Sequence, residues 1–199
     1  MKYEKKTALL IIDMQNMATK PGPFTYETTI RMMEDGFGEK VDEMRENGCL
    51  IVHVYSDGDG NGLTAAPHKI NPALTGRNMA KVEFPPECNT EIDERIHVLP
   101  EDILLKKFTY SAFLGTPLLE ILQQKGVENV LVCGEKVNVC CRMTAIDAVS
   151  HCFKTFIVED MISTNNDEIK AFHLDEFNRY FAKVLHSSEV IRRLKAKEF

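Results

Sequence analysis

Apolar residues along this chain follow two alternating rhythms. Short, nearly unbroken runs occur at Thr7 to Asp13, Cys49 to Tyr55, Asp102 to Leu105, Asn129 to Cys133 and Thr155 to Val158. Runs of this length without polar interruption predict strands buried on both faces. Between them the apolar positions recur every three or four residues. Ile30, Met33, Phe37, Val41 and Met44 predict one amphipathic helix from Thr28 to about Asn47, weakened by Gly36 and Gly38 and closed near Gly48. Thr116 and Pro117 read as the N-cap and first residue of a helix carrying Leu118, Leu119, Ile121 and Leu122, with Gly126 as its stop. The fourth strand is expected to stop at Gly134. Helical spacing then resumes after Cys140, through Met143 and Thr144, Asp147 and Ala148, His151 and Cys152. A helix is expected from Asp167 to about Tyr180, with Ile169, Phe172, His173, Phe177 and Phe181 on its inner side. Ala182 to Leu185 predicts a short sixth strand, and Ser187 or Ser188 the cap of a last helix rich in Arg and Lys. Only Ser56 to Pro100 is irregular over a long stretch, and a loop of that length is more often functional or interface-forming than idle.

Strands alternating with helices predict an α/β fold: three layers, α/β/α, around a mostly parallel six-stranded sheet with right-handed crossovers. The chain has 199 residues, 44% of them hydrophobic, enough for the core of a single domain spanning 1–199. A net charge of -6 with no basic stripe argues against a nucleic-acid partner. No apolar run approaches the ~18 residues of a membrane span. The opening MKYEKKTALLIID contains Asp13 and no small-residue cleavage pattern, so it reads as a first strand rather than a signal peptide. Six cysteines are scattered with no CxxC pair, which fits reduced thiols and a cytoplasmic setting.

In folds of this class ligands sit beyond the carboxyl ends of the strands. The residues expected there are Asp13, Tyr55, Lys107 and Cys140: an acid, a phenol, an amine and a thiol, distant in sequence and gathered at one sheet edge. Singly, each has a plainer reading. Asp13 caps the following turn, Lys106 and Lys107 form a solvated strand end, and Cys140 and Cys141 are small buried hydrophobes. Their shared location is what lifts the set. A cysteine where a turn becomes a helix is expected to have a thiol pKa below roughly 8.5, and the nearby N–H groups are suited to an oxyanion. Asp13 is placed to act as general base, with Lys107 stabilising the charges. No histidine falls at a strand end, so a cysteine–histidine dyad is not the favoured scheme. His68, His97, His151, His173 and His186 read as loop surface, helix face or helix cap. The glycines near Gly58, Gly60 and Gly62 precede no clear helix start, so no dinucleotide cofactor is expected.

The chain resembles the isochorismatase-like cysteine hydrolases over nearly its whole length. ALLIIDMQN resembles the opening strand with its catalytic aspartate, here Asp13. KFTYSAFLGTPL resembles the lysine motif and selects Lys107 over Lys106. GEKVNVCCRMTAIDA resembles the nucleophile elbow, with the cysteine four residues before a Thr-Ala pair, and selects Cys140 over Cys141. FIVEDMIST and RYFAKVLHSSEVI resemble the closing strands. The resemblance implies an Asp–Lys–Cys triad attacking a carbonyl carbon, a thioester-type adduct, a cis peptide between Glu135 and Lys136, and an oxyanion hole from the backbone N–H groups of Lys136 and Cys140. It also implies a homo-oligomer, dimer or tetramer. Gln15, Tyr55 and Phe113 are candidate walls of the pocket for a small-molecule substrate. Three positions depart from the family pattern: Val137 replaces the elbow threonine, and Met17 and Ala18 replace the acid and the aromatic of the loop after Asp13. Nicotinamidases of the family carry an Asp-x-His metal motif, but the corresponding stretch here reads YSDGDGNG, with Asp57 and Asp59 and no matching histidine. No metal and no other cofactor is expected. Retention of the thiol favours C–N cleavage in an amide, carbamoyl or imide. The rival readings are a vinyl-ether hydrolase of isochorismatase type, a binding or scaffold protein with a vestigial pocket, and a redox sensor using a Cys140–Cys141 disulfide.

Overall fold

A computed structural model describes residues 6–56 and 85–199. Its elements in chain order are β1 (Thr7–Ile12), α1 (Asn16–Thr19), α2 (Glu27–Glu34), α3 (Phe37–Glu46), β2 (Leu50–Tyr55), β3 (Ile103–Lys106), α4 (Leu118–Gln124), β4 (Asn129–Glu135), α5 (Cys140–Ser150), β5 (Lys154–Ser163), α6 (Asp167–Tyr180), β6 (Lys183–Leu185) and α7 (Ser187–Ala196). The strands form one sheet in the order β3-β2-β1-β4-β5-β6. Every pairing in it is parallel. The three-layer α/β/α architecture expected from the alternating pattern is therefore the one present. Alternate residues of β1 face opposite layers. Ala8, Leu10 and Ile12 pack with Leu118 and Leu122 of α4, Ala145 and Ala148 of α5 and Phe177 of α6. Leu9 and Ile11 pack with Met32 and Met33 of α2, Val41 and Met44 of α3 and Val190 and Leu194 of α7. Each large aliphatic side chain buried this way contributes about 1.5–3 kcal/mol.

Several local expectations are corrected. The single helix predicted over Thr28 to Asn47 is two, because Gly36 takes a left-handed conformation (φ 75°) that breaks the α-helical path between α2 and α3. β4 does not stop at Gly134 but runs through it to Glu135. β5 continues five residues beyond Val158, and its register against β4 shifts between Val132 and Gly134, where Val132 pairs with Ile157 but Gly134 with Ile162. On α6 Phe177 is buried, whereas Phe172 is 67% exposed and faces outward. The cap of α7 is His186, whose Nδ1 accepts from the Ser188 N–H; Ser187 instead donates its N–H and hydroxyl to Asp160. α4 starts one residue later than expected, at Leu118 with Pro117 as its N-cap, and the Thr116 hydroxyl accepts from the Leu118 N–H at 3.3 Å.

The described end of the long irregular region lies against the loop after β1. Asn16 N–H donates to the Glu91 carbonyl, Met17 N–H to Asn89 and Asp93 N–H to Met14. Burial pushes the Asp93 carboxyl upward, but hydrogen bonds from Arg95, the Thr19 hydroxyl and the Arg95 N–H outweigh it and hold the pKa at about 2. A carboxyl depressed in the fold stabilises it above the unfolded value of about 3.9, and that contribution is lost as pH falls through about 2. Asp93→Asn is accordingly expected to lower stability at neutral pH by about 2 kcal/mol. In urea titrations the gap between wild type and variant should narrow as pH falls from about 5 toward 2; a gap constant with pH would contradict this assignment. Among the described residues, no helix is long and apolar enough to cross a membrane.

Candidate active site

The ends of β1, β3 and β4, with β2 lying between β1 and β3, build the site. β1 ends at Ile12, and Asp13 turns the chain in a left-handed conformation (φ 54°) while its N–H still bonds to the Val54 carbonyl at 2.9 Å. Aspartate is among the few side chains that tolerate this region. On the next pair, Lys107 lies one residue past β3 and is fastened by its N–H to the Tyr55 carbonyl at 2.8 Å. On the other side of β1, β4 ends at Glu135, and the Glu135–Lys136 peptide is cis. The following turn is closed by the Lys136 carbonyl, which accepts from the N–H groups of Val139 and Cys141 at 3.1 Å each, and by Val137 N–H to the Ser163 carbonyl at 2.9 Å. Cys140 is the first residue of α5, where a backbone N–H has no acceptor within its own helix.

These turns bring the acid, the amine and the thiol together. Lys107 Nζ is 3.1 Å from Asp13 Oδ2 and 3.7 Å from Cys140 Sγ. It also donates to the Thr109 carbonyl at 3.1 Å. Asp13, Lys107 and Cys140 are exposed by only 3%, 1% and 5%, so the charges interact with little solvent screening. Burial raises the Asp13 carboxyl above the ordinary carboxylate range, against the pull of the Lys107 ammonium. Burial works to lower the Lys107 pKa, but the charges of Asp13 and Cys140 outweigh it and the value is raised. The expected low thiol pKa is corrected. Burial pushes the Cys140 thiol up, Asp13 pushes it further, and Lys107 offsets only part of this. The start of a helix is a favourable place for a thiolate only when the sulfur is also solvated or faces net positive charge; here Asp13 and Glu135 surround it as well as Lys107. With its pKa raised, Cys140 rests at neutral pH as a thiol next to a carboxyl whose affinity for protons is enhanced.

The candidate wall residues fare differently. Tyr55 ends β2, half-buried, and its carbonyl accepts from the Lys107 N–H. Gln15 is buried and fully engaged: its Nε2 donates to the Ser56 and Thr90 carbonyls, and its Oε1 accepts from Ser56. It braces the loop around Asp13 rather than offering a free amide to a substrate. Phe113 lies against His151 and Phe153, with ring centroids 5.3 and 6.3 Å away, beyond the far end of α5 from Cys140. It is a core residue, because the segment after Lys107 runs back along that helix instead of over the sheet edge. Sequence reasoning missed the Thr109 carbonyl, a backbone acceptor with no side-chain signal. It also missed the environment of Lys136, whose ammonium donates to Asn165 Oδ1 at 2.6 Å and lies 4.8 Å above the Tyr26 ring.

All six cysteines are free. The Cys141 thiol donates to the Cys133 carbonyl on β4, while the Cys140 sulfur faces Lys107, so the two neighbours point to different surroundings. Asp57, Asp59, His68 and the glycines Gly58, Gly60 and Gly62 lie outside the described residues. His53 is bound through Nε2 to Asp102 at 3.1 Å, and burial lowers its pKa. Among the described residues, no group of three His, Cys, Asp or Glu side chains is arranged to hold a metal ion.

Residues 7–189 match the family model described as the Isochorismatase domain, and the chain belongs to this family of hydrolases. It is 24% identical over 195 residues to the maleamate amidohydrolase of Pseudomonas putida, covering 97% of this chain and 89% of that protein. Among solved structures, it is similar to a cysteine hydrolase from Pseudomonas syringae pv. phaseolicola, with a TM-score of 0.82, 21% identity and coverage of 97% and 94% of the two chains. It is also similar to the N-carbamoylsarcosine amidase of Thermoplasma acidophilum, with a TM-score of 0.72, 25% identity and coverage of 92% and 96%.

Proposed function

We propose that this hydrolase cleaves the C–N bond of a small amide, carbamoyl compound or imide through a covalent adduct on Cys140. The observation that carries the reading is the placement of Lys107 Nζ between Asp13 Oδ2 and Cys140 Sγ, at 3.1 and 3.7 Å, in a site closed to bulk water. The relatives named as an amidohydrolase and an amidase support the choice of bond.

The chemistry derives from the protonation states. Asp13 takes the proton of Cys140 as the sulfur attacks the carbonyl carbon, so the high thiol pKa is met by a base held in place rather than by a standing thiolate. An S–C bond forms, and the former carbonyl oxygen gains negative charge facing the N–H groups of Lys136 and Cys140. Asp13 then gives its proton to the leaving nitrogen, the C–N bond breaks and a thioester-type adduct remains. Water attacks that adduct, passes a proton to Asp13, and the S–C bond breaks; the proton returns to the sulfur. The products are an acid and ammonia or an amine, or, from an imide, an acid and an amide, which stay joined when the imide is cyclic. Lys107 keeps its charge throughout and stabilises whichever of Asp13 and Cys140 is anionic.

The test is ammonia release from a panel of small aliphatic and aromatic amides and carbamoyl compounds, together with ring opening of cyclic imides to the acid amide. At least one class should be turned over by the wild-type protein and not by Asp13→Asn. Turnover of vinyl ethers alone, or no turnover of any member, would contradict the proposal.

A further inference from the structure

The segment after Lys107 does not leave the nucleophile's helix at once. It runs beside α5 in the same direction and is attached to successive turns of one face. Lys107 Nζ meets Cys140 Sγ at 3.7 Å. Ala112 N–H donates to Thr144 Oγ1 at 3.0 Å, four residues along the helix. The Ser111 hydroxyl donates to Asp147 Oδ2, three residues further, and accepts from the Phe113 N–H at 3.1 Å. Positions 140, 144 and 147 lie on a single helical stripe. Thr144 is wholly buried, so an Ala112 N–H deprived of its hydroxyl would be left without water as a substitute. The ammonium is in turn fixed by the Thr109 carbonyl inside this same segment.

We propose that Thr144, assisted by the Ser111–Asp147 hydrogen bond, is a positioning residue that sets the distance between the Lys107 ammonium and the Cys140 sulfur. Neither group touches the reacting atoms. They act through the 107–113 segment, by locking it to the helix that carries the nucleophile. The inference rests on the proposed pairing of Lys107 with Cys140, but needs no substrate for its test.

The groups facing the Cys140 sulfur are Asp13, Lys107 and Glu135. Lys107 alone among them favours the thiolate, and an opposite charge within ~4–6 Å shifts a pKa by about 1–3 units. The experiment is the pH–rate profile of Cys140 alkylation by iodoacetamide in the full chain, with peptide fragmentation separating Cys140 from Cys141. Lys107→Met is the reference and should slow alkylation by about tenfold or more at a given pH. Thr144→Val, which keeps the shape but removes the acceptor, is expected to slow it in the same direction and move toward the Lys107→Met profile. Thr144→Ser should restore the wild-type profile. Ser111→Ala, altered on the segment rather than in the helix core, decides the matter if Thr144→Val does not fold, and should also slow the reaction. A merely structural role would loosen the site, expose the sulfur and speed alkylation. Unchanged or faster alkylation in the Thr144→Val and Ser111→Ala proteins, with Lys107→Met slow, would overturn the positioning role alone. An unchanged profile in Lys107→Met would overturn both this role and the pairing beneath it.

Discussion

Cys140→Ala is expected to abolish amide turnover, reducing kcat by at least about 10⁴-fold, while the protein stays folded. Both halves of the expectation derive from the site. The sulfur is the atom that forms and breaks the covalent bond in the proposed route, and neither neighbour takes its place: Lys107 is held protonated, and the Asp13 carboxyl is engaged with the Lys107 ammonium at 3.1 Å. In the proposed route what remains after substitution are the backbone N–H groups of positions 136 and 140 as oxyanion donors, worth a small residual rate. The structural cost is low because the thiol fills little volume, and losing one buried sulfur costs about 1–2 kcal/mol. Asp13 and Lys107 still neutralise each other at 3.1 Å in the variant, so no unpaired buried charge is created. Ammonia release measured beside thermal denaturation separates the two outcomes. A variant that retains turnover, or one that loses it only by unfolding, contradicts the assignment.

Gly134→Ala should have the largest effect on stability, at least about 3 kcal/mol, or yield an insoluble protein. Gly134 has φ 105°, a region that side chains rarely enter, and it pairs with Ile12 in the centre of the sheet. An added Cβ would lie 2.2 Å from the Ile12 carbonyl oxygen and 2.7 Å from the Ile12 nitrogen. Those are backbone atoms of the adjoining strand, which cannot rotate away as a side chain would. Relief requires separating β1 from β4 one residue before Asp13 and two before Lys136, so the variant should lose the site together with stability. Urea or thermal denaturation checks this. A midpoint within experimental error of the wild type would show that the two strands can part there without cost.

The ends of the strands were legible from the chain because buried parallel strands announce themselves as unbroken aliphatic runs, and the residues just past each run must lie at a common edge. That is why Asp13, Lys107 and Cys140 were readable as a set. Residues whose role depends on a path through space were not. Gly134 read as a strand end, since glycine usually interrupts a strand; here it is a strand residue whose missing Cβ lets Ile12 approach. Phe113 lies close enough to the lysine motif to suggest the pocket, but its segment doubles back along α5 toward His151. Gln15 has the right position and the wrong orientation, its amide consumed by Ser56 and Thr90. The thiol's protonation was misjudged for a similar reason. The helix start is visible in the sequence, but the closure that desolvates the sulfur and sets Asp13 against it exists only in the folded chain.

Covalent catalysis at Cys140 is tested most directly by stopping the reaction while the adduct is present. The wild-type protein is mixed with an excess of an amide it hydrolyses, quenched in acid within the first turnovers, digested and examined by mass spectrometry. The proposed route predicts an acyl or carbamoyl group on Cys140 and none on Cys141, accumulating before steady state and absent from Cys140→Ala. Steady ammonia release without any adduct on Cys140, matched by an unimpaired Cys140→Ala protein, would contradict it.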